Sequence, residues 1–170
     1  FKEEGVRDMG RTARGVRGIR MAPEDRVIGM EIPTEGNTIL TVSEKGYGKR
    51  TEIEEYRLQT RGGKGTINLR TVPKVGDVSG ILQVTGSEDI MLISDTGRIV
   101  RMRSEEVRVI HRSTQGVRLI DLDENEKLVG VARAEREEER ENGAVSEDLM
   151  DDSGQEQKNL PEVGSAEEEE

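Results

Sequence analysis

"ILTVSEKGYGKRT" (residues 39–51) and "IMLISDTGRIVRM" (residues 90–102) match without a gap at an offset of 51 residues. The offset pairs Ser43 with Ser94 and Gly46 with Gly97. Each copy is a β-prone run closed by Ser-Glu-Lys-Gly or Ser-Asp-Thr-Gly. That turn chemistry suits a type I turn with glycine in the left-handed position, so each copy predicts a hairpin. The same period recurs elsewhere. "VIGM", "VSGI" and "LVGV" place Gly29, Gly80 and Gly130 at 51- and 50-residue steps. "FKEEGVRDMGRTARGVRGI" (1–19) matches "MRSEEVRVIHRSTQGVRLI" (102–120) two periods on. Several anchors agreeing without gaps are the mark of a repeat architecture.

Segments after Gly65 and Gly116, and those around Gly29, Gly80 and Gly130, supply further strands. Four strands in each 50 residues predict an all-β chain of radial blades, propeller-like, each a four-stranded antiparallel sheet. Phe1 aligns with Met102, inside the hairpin's second strand, so the chain is expected to open partway through a blade. About two and a half blades are expected over residues 1–134, with boundaries near 25 and 76.

Charge divides the chain. Residues 1–133 carry 23 Lys+Arg against 21 Asp+Glu; residues 134–170 carry 3 against 15. The acidic end has too few apolar residues to offset its ordering entropy, and 135–170 is expected to be a disordered tail. Such a tail, at −12, either competes with an anionic ligand for the body's cations or serves solubility alone. Without cysteine there are no disulfides and no thiolate chemistry, which fits a reducing, cytoplasmic compartment. No apolar run is long enough to span a membrane.

"LQTRGGKGTINLR" (58–70) concentrates three glycines and two cations between Arg61 and Gly65, at the mouth of a strand. The repeat supplies its control. Arg61 aligns with Arg11 and Arg112, Lys64 with Arg14 and Gln115, and Gly65 with Gly15 and Gly116. Every blade thus has a cationic loop, Arg-x-x-(Lys/Arg/Gln)-Gly, and only the middle one has glycine at both intervening positions, Gly62 and Gly63. Glycine there lets backbone N–H groups approach an anion while Arg61 and Lys64 neutralise it. The loop is not a nucleoside-triphosphate cradle, because it lacks the GxxxxGK(S/T) spacing. Gln59 and Thr60 lead into it, and Arg11, Arg14, Arg17, Arg112 and Arg118 are further candidate phosphate contacts.

"QTRGGKG", Gln59 to Gly65, resembles the seven-residue box of the DNA gyrase A C-terminal domain at every position. "MGRTARGVRGI" (9–19) and the Val-x-Gly anchors are similar to that domain's blade signatures, so the resemblance covers residues 1 to about 133. It implies a six-bladed β-pinwheel whose rim wraps duplex DNA without strong sequence preference, with only its last blades present here. It also implies a role in negative supercoiling by an ATP-dependent type II topoisomerase. The partners implied are the gyrase B protein and a second copy of gyrase A, with ATP and Mg2+ bound elsewhere in the holoenzyme. Two other readings are a topoisomerase IV-type domain, whose box is usually degraded, and a protein-interaction module binding an acidic partner.

No catalytic group is expected in this stretch. Tyr56 aligns with the apolar positions Val6 and Val107, and Tyr47 sits between two glycines beside a hairpin turn; neither follows an arginine. His111 is the sole histidine and falls in a variable loop position, neither triad member nor metal site. "SEDIM" and "DLDEN" lack the ligand spacing of a calcium loop. No cofactor or metal is expected here.

Overall fold

The computed structural model describes residues 1–136. All but the first two residues of the acidic tail expected at 135–170 lie outside the described residues. The described chain is all-β. Its strands are β1 (Thr38–Ser43), β2 (Tyr47–Glu52), β3 (Val78–Val84), β4 (Asp89–Ser94), β5 (Ile99–Arg103), β6 (Val117–Arg118) and β7 (Leu128–Ala134). The only helical pieces among the described residues are single 3-10 turns at Glu3–Gly5, Ile53–Glu55 and Ser104–Glu106, one per repeat.

The two hairpins form as the turn chemistry requires: β1 with β2 around Gly46 (φ 75°), β4 with β5 around Gly97 (φ 85°). A third strand adds antiparallel to the first strand of each hairpin, β3 on β1 and β7 on β4. Even the irregularity repeats, with a bulge between Val42 and Ser43 and another between Ile93 and Ser94. Bulges increase local twist, which suits sheets stacked radially.

The fourth strand comes from further along the chain. β6 pairs with β2 through Tyr47↔Arg118 and Gly48↔Val117, giving the order β3-β1-β2-β6. The second sheet, β5-β4-β7, has three strands among the described residues, against the expected four. Residues 1–25, expected to hold half a blade, contain no named strand and join the ladder through the bridge Ile19↔Gly63. β3 and β7 each pair with a hairpin. Their counterpart at 27–33 has no such partner among the described residues, and Val27, Met30 and Ile32 stand exposed.

Packing explains the Val-x-Gly anchors. A Cβ on Gly80 would lie 2.8 Å from Val131 Cγ1, and one on Gly29 would lie 3.0 Å from Ile81 Cγ1. Val131 and Ile81 each follow the anchor glycine of the next repeat. The glycine therefore makes the hollow into which the following blade inserts its apolar residue. Leu40, Val42, Val84, Ile90, Leu92, Val107, Ile120 and Leu128 form the core, drawn from both sheets.

Candidate nucleic-acid interface

Each cationic loop follows a 3-10 turn, and those at 60–65 and 111–116 are stitched to the repeat before them. Gly62 N–H donates to the Gly18 carbonyl (2.6 Å), and Arg20 N–H donates to the Gly63 carbonyl (2.7 Å). One repeat on, Ser113 N–H donates to Asn68 O (2.7 Å) and Arg70 N–H to Thr114 O (2.8 Å). The same parallel bridge recurs as Ile19↔Gly63 and Leu69↔Thr114. Backbone bonds thus hold successive loops in a fixed register, whatever their side chains.

The three glycines of the box do different jobs. Gly65 takes φ 81°, as its counterparts Gly15 (78°) and Gly116 (75°) do, to turn the chain toward the next segment. Gly62 takes φ 75°, and its counterpart Ser113 is forced to φ 57°, the sole non-glycine residue with positive φ among the described residues. The N–H of Gly62 is already bonded to Gly18, so this glycine serves the loop's path and not an anion. Gly63 is exposed, and a Cβ there would meet only Thr60 O at 3.7 Å. It is the one glycine of the box that backbone conformation does not require.

Lys64 is exposed and has no protein partner among the described residues. Arg61 donates Nε–H to the Gly5 carbonyl (2.9 Å), tying the loop to the 3-10 turn of the preceding repeat. Thr60 is exposed and Gln59 half-buried at the loop's entry. Arg11, Arg14 and Arg17 are exposed, with no side-chain partner among the described residues.

Arg112 and Arg118 differ from these. Arg112 is half-buried, donates to Ile67 O (3.2 Å) and lies 5.9 Å from the Tyr56 ring centre, with its Nε buried and unpartnered. Arg118 donates to the Tyr47 hydroxyl (3.1 Å), pairs with Asp121 and lies 5.4 Å from the Tyr47 ring. The bond to Tyr47, then that to Asp121, pushes the Arg118 pKa further up. Lys74 approaches the same Tyr47 ring (5.5 Å), and the Arg118 bond draws the phenol's pKa down. Tyr56, half-buried, donates its hydroxyl to Asn68 Oδ1 (2.6 Å), and burial pushes its pKa up.

Lys49 is not among the residues that the sequence singles out. Its side chain is fully buried in β2, and Nζ donates to the His111 carbonyl at 2.7 Å. Burial, then the nearby Arg112 charge, lowers its pKa to about 8. His111 itself turns Nδ1 to Glu55 Oε1 at 2.5 Å. The signal is present in the repeat: Lys49 aligns with Val100, an apolar position, as Tyr56 aligns with Val6 and Val107. Among the described residues no helix is long and apolar enough to cross a membrane, and no three His, Cys, Asp or Glu side chains are grouped to hold a metal ion.

The family described as DNA gyrase C-terminal domain, beta-propeller, matches residues 1–34, 37–85 and 88–135. The chain belongs to that family. The second matched segment holds β1, β2 and β3, and the third holds β4, β5 and β7 together with β6, which pairs into the first sheet. The DNA gyrase A protein of Salmonella typhimurium is 47% identical over 133 residues, covering 78% of this chain and 15% of that protein. Its counterpart in Pseudomonas aeruginosa is 46% identical over 149 residues, 88% of this chain and 16% of that one. The chain therefore spans about one sixth of the curated relatives it matches. A solved DNA gyrase A C-terminal domain superposes with TM-score 0.69 at 26% identity, over 77% of this chain and 45% of the other. The C-terminal domain of a DNA topoisomerase IV superposes at 0.72 with 24% identity, covering 78% and 42%, and shares the fold.

Proposed function

We propose that this gyrase C-terminal domain binds duplex DNA along its loop ladder and bends it, as the wrapping part of a gyrase A protein. The observation that carries this reading is the register of the loops. Arg11, Arg14, Arg61 and Lys64 stand exposed on loops at a repeated spacing, and Gly63 leaves room for a backbone to approach. Phosphate contacts of this kind carry no sequence information, which suits a surface that must accept any duplex. Smooth bending of 20–30 base pairs costs roughly 1–6 kcal/mol, so contacts from successive blades must act together. Within a whole enzyme of two gyrase A and two gyrase B chains, a wrap of fixed hand would present one duplex segment to another. ATP-dependent strand passage would then introduce negative supercoils. ATP and Mg2+ would be bound by other parts of that assembly, in the cytoplasm.

The full chain should bind random-sequence duplex DNA, with affinity falling steeply as salt rises. Closing nicked circles in its presence should shift the linking number in one direction. An affinity insensitive to salt, or circles closed without a shift, would contradict the reading.

A further inference from the structure

Another cation recurs in every repeat without belonging to the box. Val6-Arg7, Tyr56-Arg57 and Val107-Arg108 stand at equivalent places, each directly after the 3-10 turn of its repeat. The first member of each pair packs inward: Val107 is fully buried, and Val6 and Tyr56 are half-buried. The arginine beside it is exposed in all three, and none makes an ion pair, side-chain hydrogen bond or ring contact among the described residues. In Arg108 the backbone is held as well, its carbonyl accepting Arg50 N–H at 3.0 Å. So the guanidinium emerges from a fixed base.

Four residues on stands the first arginine of the loop: Arg11, Arg61 or Arg112. Two of those three donate to protein carbonyls, Arg61 to Gly5 and Arg112 to Ile67. The loop's second cation is not constant, being Arg14, Lys64 and then Gln115. Only the earlier arginine is both present in every repeat and uncommitted in every repeat. Of the turn carboxylates beside it, Glu55 faces His111 and Glu105 faces Arg136; Glu3, Glu4, Glu54, Glu106 and the neighbouring Asp8 remain.

We propose that Arg7, Arg57 and Arg108 form a second row of phosphate contacts for duplex DNA, one per blade, beside the row made by the box loops. This rests on the DNA-binding reading above. An exposed guanidinium with no protein partner keeps its whole fork for a phosphate, the geometry in which arginine binds bidentately. Because the ladder fixes the register of the repeats, a duplex bent over consecutive blades meets one such fork at each.

The test is the salt dependence of binding by the full chain to a random-sequence duplex, comparing wild type with Arg7→Ala/Arg57→Ala/Arg108→Ala. The triple variant should keep its β spectrum and melting temperature, since exposed side chains contribute little to stability. Its slope of log K against log salt should flatten by about 0.9 for each contact, about 2.7 in all. Between 50 and 200 mM salt, wild-type affinity should then fall about 40-fold more than the variant's. A control variant, Lys45→Ala/Lys74→Ala/Lys127→Ala, removes the same charge from cations already engaged with Pro73, Tyr47 and Glu44. It should keep the wild-type slope. An unchanged slope in the arginine variant, or equal flattening in the control, overturns the second row while leaving the domain a DNA binder. Salt-insensitive or absent binding by wild type overturns the DNA reading itself.

Discussion

The loops at 60–65 and 111–116 follow the same path and are held by different means. In the first, glycine supplies the left-handed turn at Gly62, and the cations Arg61 and Lys64 stay at the surface. In the second, Ser113 takes that turn at φ 57°, and side chains fasten the loop from beneath. Lys49 holds the His111 carbonyl, Glu55 holds the His111 ring, and Arg112 is drawn down toward Tyr56 and Ile67. Among the described residues the first loop leaves Lys64 free and holds Arg61 by a single surface bond, to the Gly5 carbonyl. The second has used its His111 and Arg112 side chains.

The largest contrast should appear at the closing glycines. A Cβ on Gly116, at φ 75°, would lie 2.6 Å from the Gly48 carbonyl oxygen, a backbone atom inside the β2–β6 pairing. One on Gly65, at φ 81°, would meet only Ile19 Cδ1 at 3.4 Å. Gly116→Ala should therefore cost about 3 kcal/mol, combining strain with overpacking, and Gly65→Ala about 1 kcal/mol from strain alone. Chemical denaturation of the two variants checks this; equal losses would mean the loops are packed alike.

The next contrast is in pH. In the folded chain Lys49 loses its proton near pH 8, while an unfolded lysine holds it to about 10.5. Between those values the unfolded state binds more protons, so the wild type gains stability as pH rises through this window. Lys49→Met has no such group. Melting curves of the two should shift in the wild type's favour from pH 8 to 10.5, and parallel curves would place the ammonium in water. Smaller still is the exchange at the left-handed position. Ser113→Gly should stabilise by roughly 0.5 kcal/mol, relief of strain exceeding the freedom glycine gains when unfolded, and Gly62→Ser should destabilise by about 1 kcal/mol.

Much of the fold is legible in the sequence because a repeat lets one blade comment on another. Gly46 and Gly97 announce the hairpin turns, and the alignment of Gly15, Gly65 and Gly116 anticipates three nearly equal positive φ angles. The alignment does not reveal which blade a strand joins. β6 belongs by sequence to one repeat and by hydrogen bonding to the sheet of an earlier one, because pairing depends on distance in space. Nor does pattern alone separate Arg61 from Arg112. They align residue for residue, and their environments differ through Tyr56, Ile67 and Lys49, which come from other parts of the chain. Composition alone assigns Gly62 to an anion, whereas its N–H serves Gly18, a partner 44 positions away.

The contrast we propose at the centre is that the glycine-built loop offers its cations to DNA and the side-chain-built loop does not. Titrating random-sequence duplex with the full chain at several salt concentrations tests it directly, for wild type, Arg61→Ala/Lys64→Ala and Arg112→Ala. The double variant should flatten the slope of log K against log salt by about 1.8 with its melting temperature unchanged. Arg112→Ala should lower the melting temperature and leave the slope as it was. An unchanged slope in the double variant, or flattening by Arg112→Ala as large as one lost contact, would contradict the claim.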